Sequence, residues 1–183
     1  MFSYKLLKRT RQFVIAYQAL FFLIVLAALG RLLPHPDNIT PLAAIGLFAG
    51  AYLDRRLFLL VPLLAIFISD LLGPGLYAIQ VMLFVYAGLA LSAVCGHLIL
   101  FRRRKLTRLP LTVVVSALAF YLVSNLGPWW AYYEHSISGL LTCYANGIPY
   151  LFRTLAGDAM YCLIFFGLYE ALSHTQQRRA AHA

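Results

Sequence analysis

Arg31-Leu-Leu-Pro34-His35-Pro36-Asp37-Asn38-Ile39-Thr40-Pro41 separates two long apolar runs with three prolines and five polar side chains. In water such a segment is an ordinary loop. Between apolar runs it carries a cost, because proline forbids a continuous helix. Polar groups on broken backbone inside a bilayer must line a cavity or reach the surface. The stretch therefore predicts a bundle of membrane helices with one wall of a small-molecule site at this point.

The composition supports that reading. Of 183 residues, 62% are hydrophobic and 11% charged, with mean hydropathy +0.80, whereas soluble domains carry about 25% charged residues. There is too little polar surface to coat a globule in water. The net charge of +9 does not indicate nucleic acid, because the basic residues form short clusters between apolar runs instead of one binding face. Cys95, Cys143 and Cys162 lack any C-x-x-C spacing. That argues against a disulfide framework, a zinc site or a quinone-linked dithiol chemistry.

Working outward, the spacing predicts six transmembrane helices: Phe13 to about Leu33, Pro41–Leu53, Leu57–Leu72, about Tyr77–Phe101, Pro110–Leu126 and Leu155–Leu172. The first is too long for a signal-peptide core and is read as a retained span. The second is short for a span. Gly46 and Gly50 on it, and Gly88, Ser92 and Gly96 on the fourth, are small-residue pairs and stripes of the kind that let helices pack closely. Gly73-Pro74-Gly75 reads as a turn. Gly127 to about Arg153, rich in aromatics, reads as a long connection whose mildly apolar middle, Ser136–Tyr150, leaves open a re-entrant or interfacial helix. The domain plan is a basic N-terminus (1–12), one membrane domain (13–172) and a tail (173–183).

Orientation follows from the basic residues. Lys5, Lys8, Arg9 and Arg11, then Arg55 and Arg56, then Arg102–Lys105 with Arg108, then Arg178 and Arg179 all fall on one side. That leaves only Arg31 and Arg153 opposite, of 15 Lys and Arg. By the positive-inside rule both termini are cytoplasmic. The three outward connections then collect the polar, non-basic chemistry. The expected substrate-binding set is His35, Asp37, Asn38, Asp70, Tyr86, Asn125, Trp129, Tyr144, Arg153 and Asp158. Each has a plainer alternative: a solvated turn at Pro34–Pro36, an interfacial cap at Asp70, helix-dipole compensation at Asp158, an aromatic belt at Trp129–Trp130. Cys95 and His97 read as packing residues.

Several of these segments also resemble a known family. Arg31-Leu-Leu-Pro-His-Pro-x-Asn-x-Thr-Pro41, Ser69-Asp70, Tyr86, Ser124-Asn125-Leu-Gly127 with Trp129, Gly139-Leu-x-x-Cys-Tyr144, Ile148-Pro149, Arg153-Thr154-Leu155 and Gly157-Asp158 resemble a family of small bacterial membrane transport proteins. That family is similar to the substrate-binding (S) components of energy-coupling-factor vitamin transporters. The resemblance implies an all-α integral membrane protein, an S-component-like bundle of six helices. It implies an external vitamin pocket, location in the bacterial cytoplasmic membrane, and a transmembrane and ATPase module as partner. The first helix departs from the Ala-x-x-x-Ala pattern that many S components use to dock, so a solitary transporter is the other arrangement. Solitary S-component-like proteins that carry cobalamin make a corrinoid the best single substrate, with His35 facing cobalt. No resident cofactor, no catalytic metal and no enzymatic activity are expected, and the chain has no G-x-x-x-x-G-K-[ST] motif for ATP hydrolysis. The alternatives are a structural or assembly subunit and an intramembrane enzyme acting on a lipid or quinone, although no H-E-x-x-H or G-x-S-x-G is present.

Overall fold

The structure, a computed structural model, describes residues 18, 21–34, 36, 38–73, 75–101 and 106–181. Among these residues every regular element is helical. They are α1 (Phe21–Leu32), α2 (Leu42–Tyr52), α3 (Leu60–Leu72), α4 (Ile79–Ile99), a 3-10 turn (Leu106–Arg108), α5 (Leu109–Ser124), α6 (Leu126–Tyr132) and α7 (Ile137–Ala181). Three helical runs are long and apolar enough to cross a membrane: Ile79–Ile99, Leu109–Tyr132 and Ile137–Ala171. The remaining apolar helices are shorter. At 1.5 Å per residue α2 rises about 16 Å, roughly half the ~30 Å hydrocarbon core of a bilayer. The expected basic start (residues 1–12), Pro74 and the Arg102–Lys105 cluster lie outside the described residues.

Many large apolar side chains face outward, and many of the small ones face inward beside a buried core that includes Ile45, Leu47 and Ile66. Leu83, Leu98, Leu111 and Leu163 are exposed, whereas Ala27, Ala44, Ala49, Ala65, Ala93 and Ala117 are fully or almost fully buried. Such helices gain nothing from the hydrophobic effect in lipid. They associate by close packing of small residues and by polar contacts. The centre of the bundle is the crossing of α2 on α4. A methyl group added at Gly50 would fall on the Ala93 carbonyl, and one at Gly96 on the Leu47 backbone. His97 Nδ1–H donates to the Gly50 carbonyl (3.2 Å), and its ring stacks on Phe58 with centroids 4.7 Å apart. The small-residue stripe of α4 thus serves two neighbours, because Gly88 receives Phe120 of α5. His97 is a packing residue, as its position in the sequence implies.

The expected long connection between residues 127 and 153 does not exist. α5 runs into α6 with only Asn125 out of helix, and the ladder continues through it: Asn125 N to Tyr121 O (3.3 Å), Trp129 N to Asn125 O (3.1 Å). After a four-residue turn, residues 137–150 are helical, as the expectation for this segment allows, but they are not a separate element. They form the first part of α7, a single 45-residue helix that also absorbs the expected sixth span and the tail described to Ala181. Ser136 starts it, its Oγ accepting from Gly139 N (3.1 Å) as an N-cap does. Pro149 lies inside the helix and removes a rung of the ladder. One turn earlier, Tyr121 OH donates to the Tyr144 carbonyl (2.6 Å). The carbonyl that Pro149 leaves without its helix donor is that of Ala145, and the bond to its neighbour Tyr144 ties this turn of α7 to α5. At about 67 Å, α7 is far longer than a bilayer core is thick.

Candidate functional site

Three helices meet at one polar knot. Asp70, near the end of α3, is completely buried and ion-paired with Arg31 at the end of α1. The same guanidinium donates to Ser69 Oγ (2.8 Å), and Tyr86 OH on α4 donates to Asp70 Oδ2 (2.9 Å). The Asp70 backbone carbonyl accepts from Gly75 N (2.8 Å), closing a turn in which Gly75 takes φ +81°. Tyr77 comes next, two residues before α4 begins. Burial pushes its phenol above the ordinary range and the Asp70 charge adds to that, while Arg31 works against both. Tyr77 is therefore a protonated hydroxyl at neutral pH.

The chain then folds inward. Ile39 N donates to Pro36 O (3.1 Å), closing a four-residue turn with Asn38 at φ +64°. Asparagine tolerates that left-handed conformation better than most side chains. The turn lies directly on α7 at Gly157, where a Cβ would come within 3.1 Å of Ile39 Cα. Asn38 Nδ2 donates to Thr154 Oγ1 (3.3 Å) one turn earlier on the same helix. The opening stretch is thus held against the middle of α7, where the half-length helix α2 begins.

Above that turn is a cavity of about 590 Å³, within the 300–1,000 Å³ that drug-sized ligands occupy. Its apolar wall comprises Leu42, Ala43, Ile66, Val85, Leu89 and Phe120, and Arg31, Asn38, Ser124, Asn125, Thr154 and Asp158 supply polar groups. Tyr77, Tyr133 and Tyr150 also face it. Asp158 is 2% exposed, and its Oδ2 has no hydrogen-bond partner among the described residues. The other buried oxygen in that condition, Ser116 Oγ, lies on α5 and does not line the cavity.

Of the expected site residues, Asn38, Asn125 and Asp158 line this cavity. Asp70 and Tyr86 stand behind it and hold Arg31, which does line it. Tyr144 is not on the lining: its OH donates to the Leu122 carbonyl (2.5 Å), tying α7 to α5. Trp129 lies on α6 and braces the turn that follows it, donating through Nε1 to Glu134 O (3.2 Å) and packing on Trp130 and His135. Arg153 is exposed, with its guanidinium 5.6 Å over the Tyr150 ring. His35 and Asp37 lie outside the described residues.

The lining also includes groups that the sequence reading left out of the site. These are Cys143, Gly147, Tyr150 and Thr154, which with the expected Asp158 recur every three or four residues, the spacing of one helix face. The stripe shows only when 137–158 is read as one continuous helix. Among the described residues no group of three His, Cys, Asp or Glu is placed to hold a metal.

Apolar helices long enough to cross a membrane, with a cavity among them that carries a few placed polar groups, define a membrane-type helical bundle. The chain belongs to the family of unknown function DUF6580, whose model matches residues 11–181. No curated protein and no solved structure matches it.

Proposed function

We propose that this protein is a multi-pass membrane transport protein of the bacterial cytoplasmic membrane that takes up a vitamin-class small molecule. On this reading both termini are cytoplasmic and the chain spans the bilayer six times, with α2 and the segment before it together making one crossing. The substrate enters from the outside and sits in the cavity between α7 and the 31–41 turn. It is released inward when these two separate. Energy comes from a docked ATPase module or from the substrate gradient.

The observation that carries the proposal is the convergence of Asn38, Asn125 and Asp158 on one cavity of about 590 Å³. They are distant in sequence and belong to three different parts of the chain. The lining favours binding over chemistry. Among the described lining residues Asp158 is the only carboxyl, and the Cys143 thiol is engaged with the Asn125 carbonyl (3.5 Å). The volume favours a compact molecule of one or two rings. A corrinoid is several times larger than drug size and would require α7 and the 31–41 turn to part widely.

Purification without added ligand, followed by mass spectrometry of co-purifying small molecules, tests the reading. The expected result is one vitamin-class compound enriched with the wild-type protein and depleted with Asn125→Ala at equal protein. Identical small-molecule content in wild type, Asn125→Ala and mock-purified membranes would refute it.

A further inference from the structure

Resting on the reading that the cavity takes a small molecule, we propose that its ligand carries a cationic nitrogen group, of the amidine or protonated amino-heterocycle class, which seats on Asp158. Four features of the lining point the same way.

Asp158 Oδ2 is buried without a partner, and native structures rarely leave a buried polar atom in that state. A buried carboxylate with no counter-charge is costly, and a ligand that supplies the charge and the donors removes that cost. Among the described residues the lining supplies no such charge of its own, because Arg31, the one cation there, is committed to Asp70 and Ser69.

The amides show the same bias. Asn125 Nδ2 donates to the Tyr121 carbonyl (2.8 Å), and Asn38 Nδ2 donates to Thr154 Oγ1 (3.3 Å). Each leaves its carbonyl oxygen as an acceptor. With Asp158 they present acceptors in search of donors, which suits N–H groups and opposes a carboxylate. Finally, Phe120 and Tyr133 contribute aromatic rings to the same wall, and ring faces attract cations.

The test uses three probes of one size and different charge: benzamidine (positive at neutral pH), benzamide (neutral) and benzoate (negative). Binding to the detergent-solubilised full chain is read from thermal stabilisation, which rises with ligand concentration over Kd, and from saturation-transfer NMR. A charge-assisted pair is about twice as strong as a neutral one, so benzamidine is expected to bind about tenfold or more tighter than benzamide. Benzoate should bind weakest. In Asp158→Asn, which keeps the volume and removes the charge, the benzamidine advantage should shrink to about twofold or less. Equal or tighter binding of benzoate by the wild type overturns the cationic assignment without touching the binding reading. So does an unchanged preference in Asp158→Asn. Failure of all three probes to bind at millimolar concentration would sink both. The wild-type ranking decides the point even if the variant folds poorly.

Discussion

Replacing Asp70 with alanine should unfold much of this protein's margin of stability, although Asp70 does not touch the cavity. The carboxylate is completely buried and Arg31 is one-fifth exposed, so neither charge is well hydrated. Removing one member of such a pair leaves the other uncompensated, at about 3–5 kcal/mol. Asp70 also accepts from Tyr86 OH, and losing a hydrogen bond to a charged group adds about 1.5–3 kcal/mol in isolation. The two terms share one carboxylate and do not add fully. We expect Asp70→Ala to lose about 3–5 kcal/mol, Arg31→Met a similar amount, and Tyr86→Phe about 1.5–3 kcal/mol. The double variant Arg31→Met with Asp70→Leu replaces the pair by apolar groups, which is often neutral, so it should fall short of the summed singles by at least ~2 kcal/mol. Equilibrium unfolding in mixed micelles, followed by tryptophan fluorescence, measures all four variants. Single losses below ~1 kcal/mol, or full additivity, would show that the knot does not hold α1, α3 and α4 together.

Three further outcomes test the packing and the site walls. Gly50→Leu should abolish the folded bundle and Gly50→Ala should cost about 2–3 kcal/mol, since any Cβ meets the Ala93 carbonyl and overpacking is expensive; thermal unfolding in detergent reads both. Asn38→Gly should change stability by less than ~1 kcal/mol, because glycine accepts the left-handed backbone. Asn38→Val should lose about 1–2 kcal/mol more, and equal melting of the two variants would refute the turn geometry. Ser136→Ala should cost about 1 kcal/mol and raise amide exchange at Gly139 and Leu140, the first turn of α7.

The fold class and the crowded small-residue seams were legible because they depend on local composition. Apolar runs, Gly46 with Gly50, and the Gly88–Gly96 stripe each carry their meaning within a few residues. The joins between elements were not legible. Residues 127–153 read as a connection with room for a separate helix at 136–150, whereas the chain is helical over 126–132 and continuously from 137 to 181. Tyr121 OH ties this part of α7 to α5 through the Tyr144 carbonyl, and no local pattern reveals a partner 23 residues away. The error had a consequence for the site. With 136–150 set apart from the last span near 155, the face formed by Cys143, Gly147, Tyr150 and Thr154 could not be lined up with Asp158. Trp129, Tyr144 and Arg153 looked like site residues because aromatic and basic side chains in a supposed loop have nothing else to do. In the folded chain they are occupied with Glu134, Leu122 and Tyr150 respectively.

The two buried aspartates separate support from recognition. Sequence treats them alike, each a carboxyl at an end or break of an apolar run. Asp70 is satisfied on all sides by Arg31, Tyr86 and its own turn, so a ligand has little to gain by approaching it. Asp158 sits deeper in its helix, beside the Gly157 seat of the 38–39 turn, with one oxygen unpaired on the cavity wall. A polar group left unsatisfied carries a cost that folding alone does not recover. Substituting it should therefore leave stability unchanged or raised while removing binding, the trade found where a site is built at the expense of the fold. Asp70→Asn and Asp158→Asn differ by one atom from their parents in the same way. The first should lower the melting temperature with or without ligand. The second should lower it only in comparison with the ligand-bound wild type. The reverse assignment, with Asp158→Asn destabilising the empty protein and Asp70→Asn abolishing probe binding at full stability, would move the recognition site to the knot between α1, α3 and α4.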